Sequence, residues 1–296
     1  MRKNAFDRAK ATIEQYFDKS SRKAFTKNAL EKIFHKQRTY WGIPETKRGI
    51  NFIAYLKQQS WIHIWKFYIR SSNDEITIYS WKTSDELTVI SGLKNKAYFT
   101  HYSAMFIHSL TEQIPKTYYL NFEHSGPMAK RDSRLAQEAI DKAFSKEQRK
   151  AGEQYRFNRI NIILLNGQYT NRLGVTDYRE GQLCYSYTDL PRTLIDITIR
   201  PTYAGGVFEV LKAYENARNK LNFIVLQKYL DELDFIYPYH QAVGFYMDKT
   251  GYPESALALF EKKIELNFYL TYNMKNPQFD SRWKLYYPRG LETMSR

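Results

Sequence analysis

The segment 46–58 carries side chains of the types that proteins use to bind duplex DNA. An arginine can donate two parallel hydrogen bonds to guanine, an asparagine can pair with adenine in the same way, and lysine and tyrosine can reach phosphates. The chain from Thr46 to Ile69 contains no acidic residue, although a generic solvated helix usually mixes both signs. These residue types indicate contacts to base edges and phosphates, and the candidates are Thr46, Lys47, Arg48, Asn51, Tyr55 and Gln58.

Hydrophobic spacing predicts that these side chains stand on a helix over residues 47–59. Thr46 would cap this helix and present backbone N–H groups to a phosphate. Lys47, Asn51 and Tyr55 follow at intervals of four residues, so we expect them on one outward strip. The buried face is predicted to consist of Gly49, Phe52, Ile53 and Leu56.

The flanking sequence predicts the elements that would position this helix. An amphipathic helix is expected over 4–18, and a second helix begins after Thr26 and ends near Thr39. Two aromatic and branched runs, 61–70 and 75–81, indicate a hairpin. Three helices followed by a hairpin are typical of a winged helix-turn-helix, which we predict as a DNA-binding domain over 1–85. Its further contacts to DNA would come from Lys27, Lys36 and Arg38 in the second helix and from Lys66 and Arg70 in the hairpin.

Positive charge is concentrated at the start of the chain. The net charge of the protein is +14, and residues 1–70 hold 16 Lys and Arg against 5 Asp and Glu, a net charge of +11. A cationic excess confined to one short segment favours a polyanion as partner, whereas an evenly spread excess is compatible with simple solubility. The charge distribution therefore favours the same segment as the residue types.

Beyond residue 85 the charge excess falls away and helical patterns dominate. We predict a second domain over 86–296, mixed and largely helical with a small sheet, with a further division near residue 188; the fold class is α+β. There is no apolar run of membrane-spanning length and no signal-peptide core after the basic N-terminal residues, so we expect a cytoplasmic protein. The lone Cys184 excludes an internal disulfide, and we expect it to be buried.

The sequence lacks the motifs of common enzymes. There is no Gly-x-Ser-x-Gly, no His-Glu-x-x-His and no spaced-aspartate motif of a nucleotidyltransferase. His101 and His108 have no further ligand at metal spacing, and Gly205-Gly206 is a loop turn rather than a phosphate-binding motif. We therefore expect no enzymatic activity, no metal and no cofactor.

Two segments resemble the AbiEi family of antitoxins from type IV toxin–antitoxin systems. The first is Tyr98–Thr111, which contains a Ser-Ala pair and ends in a sequence similar to His-Gly-Leu-Thr. Ser109 stands where the family commonly has glycine. The second is Thr188–Asp196, continued by Arg200–Val210; Arg192 and Asp196 within it are spaced for an ion pair on a helix. The residues that carry the resemblance are Ser103, Ala104, His108, Leu110, Arg192, Asp196, Gly205 and Gly206.

The resemblance implies a repressor that binds the operator of its own operon and a C-terminal region that antagonises a nucleotidyltransferase-like toxin, by contact or indirectly. One alternative is a DNA-binding regulator whose C-terminal region binds another protein, with no toxin. A second alternative is a nucleic-acid enzyme whose active site is assembled from residues that no motif marks. A neighbouring reading frame for a nucleotidyltransferase separates the first two, and assays with Mg²⁺ on DNA and tRNA test the third.

Overall fold

The computed structural model describes residues 4–126, 135–149, 152–261 and 264–291. The described helices are α1 (Ala5–Arg8), α2 (Lys10–Lys19), α3 (Lys27–Gln37), α4 (Gly49–Gln58), α5 (Glu86–Ser91), α6 (His101–Ile107), α7 (Gln137–Phe144), α8 (Leu190–Ile199), α9 (Val207–Ala217), α10 (Phe223–Leu233), α11 (Tyr239–Lys249) and α12 (Glu254–Leu257), with a 3₁₀ turn at Pro201–Tyr203. The described strands are β1 (Ala24–Thr26), β2 (Ile62–Ile69), β3 (Glu75–Trp81), β4 (Tyr98–Phe99), β5 (Thr117–Glu123), β6 (Glu153–Phe157), β7 (Ile160–Gly167), β8 (Val175–Glu180), β9 (Leu183–Thr188), β10 (Phe268–Tyr269), β11 (Gln278–Asp280) and β12 (Leu285–Tyr287).

The strands form one sheet of nine and one of three. The order in the larger sheet is β1-β3-β2-β6-β7-β5-β4-β9-β8, and in the smaller it is β10-β12-β11. By compactness the chain divides into two units. Unit 1 is formed by the described residues up to Tyr98 with Glu153–Leu164 and Asp177–Tyr187, and unit 2 by those of Phe99–Gly152, Leu165–Thr176 and Thr188–Arg296. The predicted division into two domains, residues 1–85 and 86–296, is a statement about which segments fold independently, and it stays a prediction.

The prediction of an N-terminal winged helix-turn-helix followed by a largely helical region with a small sheet is wrong. The expected helices and hairpin are present, but β2 does not end the sheet as a wing strand would. Its far edge pairs antiparallel with β6, Tyr68 opposite Arg156 and Ile69 opposite Tyr155, and β6 pairs in turn with β7. Strands from beyond residue 85 make up two thirds of the nine-stranded sheet, because both edges of the hairpin are used for pairing.

Unit 1 has a core of aromatic side chains beneath its N-terminal helices. The rings of Phe34 and Phe52 join α3 to α4 with centroids 5.1 Å apart, and Phe17 of α2 stacks on Trp81 of β3 at 4.7 Å. All four side chains are fully buried. Each such ring removes a large apolar area from water, so this cluster fixes how the three helices pack on the hairpin.

Unit 2 has a separate core built mainly by α8, α9 and α11 with the three-stranded sheet. Its largest buried side chain, Trp283, lies directly over Gly244 of α11, where a Cβ atom would come within 2.0 Å of the ring. The indole nitrogen donates to Asp248 at 2.9 Å, so the buried ring has its polar atom satisfied. Glycine is required at position 244 because the indole occupies the space of any side chain.

Candidate nucleic-acid interface

Helix α4 begins two residues later than the sequence predicts. Its N-cap is Arg48 rather than Thr46, and the backbone N–H of Arg48 donates to Oδ1 of Asn51 at 2.9 Å. Thr46 lies outside the helix and is exposed. The predicted cap was therefore misplaced, because an asparagine three residues inside the helix satisfies the N-terminal donor in its place.

The outward strip of α4 differs from the predicted one. Its exposed residues are Ile50, Asn51, Ala54, Lys57 and Gln58. At about 100° per residue these positions occupy one arc of about 120°, with Ala54 at its centre. The strip contains an apolar side chain, a methyl group, two amides and one cation, and it has no acidic residue.

Tyr55, predicted to face outward, is 4 % exposed. Its ring stacks on Phe6 of α1 with centroids 5.1 Å apart, and burial raises the pKa of its hydroxyl to about 12. Burial of the aromatic ring in the core is more favourable than its exposure to water. Tyr55 therefore faces inward, although its spacing from Asn51 predicted a contact to DNA. The prediction that Tyr55 points outward is wrong. Lys47, on the same predicted strip, is half-buried in the turn before α4.

Helices α3 and α4 approach each other closely at Gly49. A Cβ atom at this position would lie 2.6 Å from Cγ of Glu31, so only glycine allows the contact. The stem of Glu31 is thereby partly covered, and Leu30 and Phe34 of α3 pack inward. Thr26 caps α3 as predicted, accepting from the N–H of Ala29 at 3.2 Å.

The outer surfaces of these two helices carry cations whose charge is not neutralised locally. Among the described residues, five exposed cationic side chains on α3 and at α4 make no ion pair: Lys27, Lys32, Lys36, Arg48 and Lys57. Arg38, also predicted to contact DNA, instead pairs with Glu45 at 2.6 Å. Of the nearby carboxylates, Glu14 and Asp18 both bind Lys82, whereas Glu31 of α3 lies against Gly49 and is in no ion pair with these five cations.

The hairpin adds two exposed cations with partners of their own. Lys66 pairs with Glu75 across the strands at 3.0 Å, and this contact raises the pKa of Lys66. Arg70 donates to the side-chain oxygen of Gln154 at 2.9 Å. Both contacts are exposed, so a phosphate can replace either one at small cost. Trp61, just before β2, is buried, and the indole of Trp65 within β2 donates to the hydroxyl of Ser80 at 2.8 Å.

Sequence reasoning missed Ile50 and Lys57 of α4. Ile50 was assigned to neither face of the predicted helix, and its side chain is 61 % exposed. Lys57 lies with its ammonium 5.7 Å from the ring centre of Tyr79 in β3. The available signal was the helical phase set by Phe52, Ile53 and Leu56, which leaves both missed residues at one edge of the outward arc.

The two segments that carry the family resemblance meet inside unit 2. Thr100, just before α6, donates to Oδ2 of Asp196 at 2.6 Å, and Nε of Arg192 donates to the other carboxylate oxygen at 2.8 Å. The predicted ion pair is confirmed, with side chains only 8 % and 10 % exposed. Arg192 also donates to the carbonyl of Leu173 at 2.7 Å. Because the pair is buried, loss of one partner would leave an uncompensated charge in the core, which costs far more than loss of a surface pair of the same spacing.

The other residues of these segments have structural contacts. The hydroxyl of Ser103 accepts from the backbone of Tyr119 at 2.7 Å, and Nε2 of His108 lies 2.8 Å from the carbonyl of Thr188. Ala104 and Leu110 are fully buried in the core of unit 2. Gly205 and Gly206, both at positive φ, form the turn before α9, as the sequence indicates.

His101 begins α6 in the left-handed region, with φ of 51°. Burial lowers the pKa of its imidazole to about 4, and Nδ1 has no hydrogen-bond partner among the described residues. Burial also raises the pKa of Asp189, which caps α8 and accepts from Tyr229 at 2.9 Å. Within the described part of the chain, no cluster of three or more His, Cys, Asp or Glu residues could hold a metal ion.

Cys184 is buried, as expected, and its pKa is raised by burial. None of the helices in the ranges that the structure describes has the length and apolar character needed to cross a bilayer.

Comparison with known proteins shows a shared fold. No family model matches the chain, and no curated protein is significantly similar in sequence. The crystal structure of the RV2827C protein from Mycobacterium tuberculosis superposes with a TM-score of 0.50 at 11 % sequence identity. The match covers 97 % of this chain and 92 % of that one. At this identity the similarity concerns the fold alone.

Proposed function

We propose that this protein binds double-stranded DNA through the outward strip of α4 and the surrounding cations of α3 and α4. The observation that carries the proposal is the strip itself, which combines base-reading amides with no acidic residue and is bordered by unpaired cations. In DNA-binding proteins, amides and apolar groups read base edges in the major groove, while lysines hold the phosphates on either side.

The proposal assigns separate roles to the parts of this surface. The amide nitrogen of Asn51 donates to none of the described residues, whereas its Oδ1 is occupied by the cap, so Asn51 would donate to an acceptor on a base. Arg48 at the start of α4 would read guanine or hold a phosphate. Lys27, Lys32 and Lys36 of α3 would lie along the backbone, because an ammonium on a flexible stem reaches phosphates without demanding one geometry.

The biological role follows from the resemblance to AbiEi antitoxins. We propose a cytoplasmic repressor that binds the operator of its own operon and counteracts a nucleotidyltransferase-like toxin. Growth of cells expressing a neighbouring nucleotidyltransferase, with and without this protein, tests the second part. Growth arrest that this protein does not relieve would instead favour a regulator whose C-terminal region serves another protein.

Binding to the DNA upstream of its own gene tests the first part. Arg48→Ala should weaken operator binding by about 1–3 kcal/mol if Arg48 reads a base, and Arg48→Lys separates the two roles of the side chain. Lysine keeps the charge but loses the guanidinium fork, so it should restore a phosphate contact and fail to restore a guanine contact. The matched control is Lys212→Ala, which removes one exposed charge from α9 of unit 2. Equal binding by the wild type and Arg48→Ala would refute the assignment of this surface.

A further inference from the structure

One exposed side chain on α4 is not explained by charge or hydrogen bonding. Ile50 is 61 % exposed at the second position of the helix, and it contributes nothing to the core formed by Phe52 and Leu56. Single exposed apolar residues are common and need no explanation by themselves. The meaning of Ile50 comes from the side chains that share its arc.

Ile50 and Ala54 are four residues apart and so are neighbours on the outward strip, with Ile50 towards one edge and Ala54 at the centre. Asn51 and Gln58 lie towards the other edge, and Lys57 lies on the same side as Ile50, about two turns further along the helix. The strip therefore has an apolar half and an amide half. Ala54 at the centre is short, so the helix backbone can approach a partner closely.

The major groove of DNA presents the same two kinds of group. Base edges carry hydrogen-bond donors and acceptors, and the apolar group among them is the 5-methyl of thymine. The nearby cations favour a polyanion as the occupant, because Arg48 precedes the apolar pair at the N-cap, Lys57 follows it, and α4 has no acidic residue. An apolar protein surface would leave these charges desolvated and unpaired.

We infer that Ile50 is a specificity-determining residue that contacts the 5-methyl group of a thymine, so that the preferred site requires thymine at that position. This inference rests on the proposed DNA-binding function. It adds a recognition element to it, because neither Arg48 nor Asn51 distinguishes thymine from a base that lacks the methyl group.

Uracil-substituted DNA tests this directly, because uracil pairs as thymine does and lacks only the methyl group. The fragment upstream of the gene is amplified with dTTP or with dUTP, and binding of the full chain to each is measured by fluorescence anisotropy. The wild type should bind the uracil fragment about fourfold more weakly, the effect expected for burying one methyl group. Ile50→Ala should bind the thymine fragment more weakly and should no longer distinguish the two.

The control variant is Lys57→Ala, which should weaken binding to both fragments while keeping the preference for thymine. Equal wild-type affinity for the two fragments would overturn the inference and leave the proposed function intact. A preference that survives in Ile50→Ala would also overturn it, because the methyl groups would then act through DNA shape or through another residue. If the wild type binds neither fragment, the proposed function itself is wrong. Because Ile50 is largely exposed, its replacement leaves the core of unit 1 unchanged.

Discussion

The salt dependence of DNA binding measures whether the unpaired cations contact phosphates. Five exposed cationic side chains of α3 and of α4 with its N-cap make no ion pair with a described residue: Lys27, Lys32, Lys36, Arg48 and Lys57. If each neutralises one phosphate, the slope of log K against log salt is about −0.9 × 5, or about −4.5. Affinity should then fall about 500-fold when salt rises fourfold, from about 50 to about 200 mM.

Removal of one contact should reduce that slope by a fixed amount. Lys36→Ala, at the end of α3, should give a slope of about −3.6 and a loss of only about 150-fold over the same range. The control Lys212→Ala removes the same charge from an exposed position of unit 2 and should leave the slope at the wild-type value. Anisotropy titrations at four salt concentrations give both slopes. The reasoning fails if Lys36→Ala keeps the wild-type slope, or if both variants change it equally.

Two further predictions concern stability. Asp196→Ala should lower the free energy of unfolding by about 3–5 kcal/mol, because the buried guanidinium of Arg192 loses its counter-charge. The double variant Arg192→Met with Asp196→Leu should recover much of this loss. Urea denaturation measures both variants, and a loss below about 1 kcal/mol for Asp196→Ala would contradict the buried pair. The imidazole of His101 has its pKa lowered to about 4 in the fold against about 6.5 when unfolded, so the unfolded chain takes up the proton first and stability falls as pH drops from 6.5 toward 4. Between pH 7 and pH 5 the resulting loss of folding stability is about 2 kcal/mol. His101→Asn should remove this pH dependence, since asparagine suits the positive φ at position 101, and His35→Asn at an exposed position serves as the control. An unchanged pH dependence in His101→Asn would refute the assignment.

Local elements were predictable because short-range physics determines them. The cap of α3 at Thr26, the inward face of α4 and the hairpin all follow from residue type and period. The exception is Tyr55, whose phase on the helix lies at the border between core and solvent. The ring of Phe6, from a helix nearly fifty residues earlier, determines its side, and no pattern within α4 contains that information.

The partners of the hairpin could not be predicted in this way. Strand β6 reads Glu-Gln-Tyr-Arg-Phe, with Tyr155 as its one buried residue, so it is too short and too polar to mark a strand by itself. Strand β8 is likewise mostly exposed and charged. Such segments become strands because they pair with the edge of a neighbouring strand, and that neighbour can be distant in sequence. The winged-helix prediction failed for that reason, although its helices and hairpin are present.

The sequence by itself determined where positive charge is concentrated and that Arg192 and Asp196 are spaced to pair. These features depend only on residue type and on neighbours within two turns. Only the tertiary structure decided that this pair is buried and bound by Thr100, that Ile50 rather than Tyr55 faces outward, and that the hairpin continues into a nine-stranded sheet. Burial and strand pairing depend on segments distant along the chain, whose approach is set by the packing of the whole core.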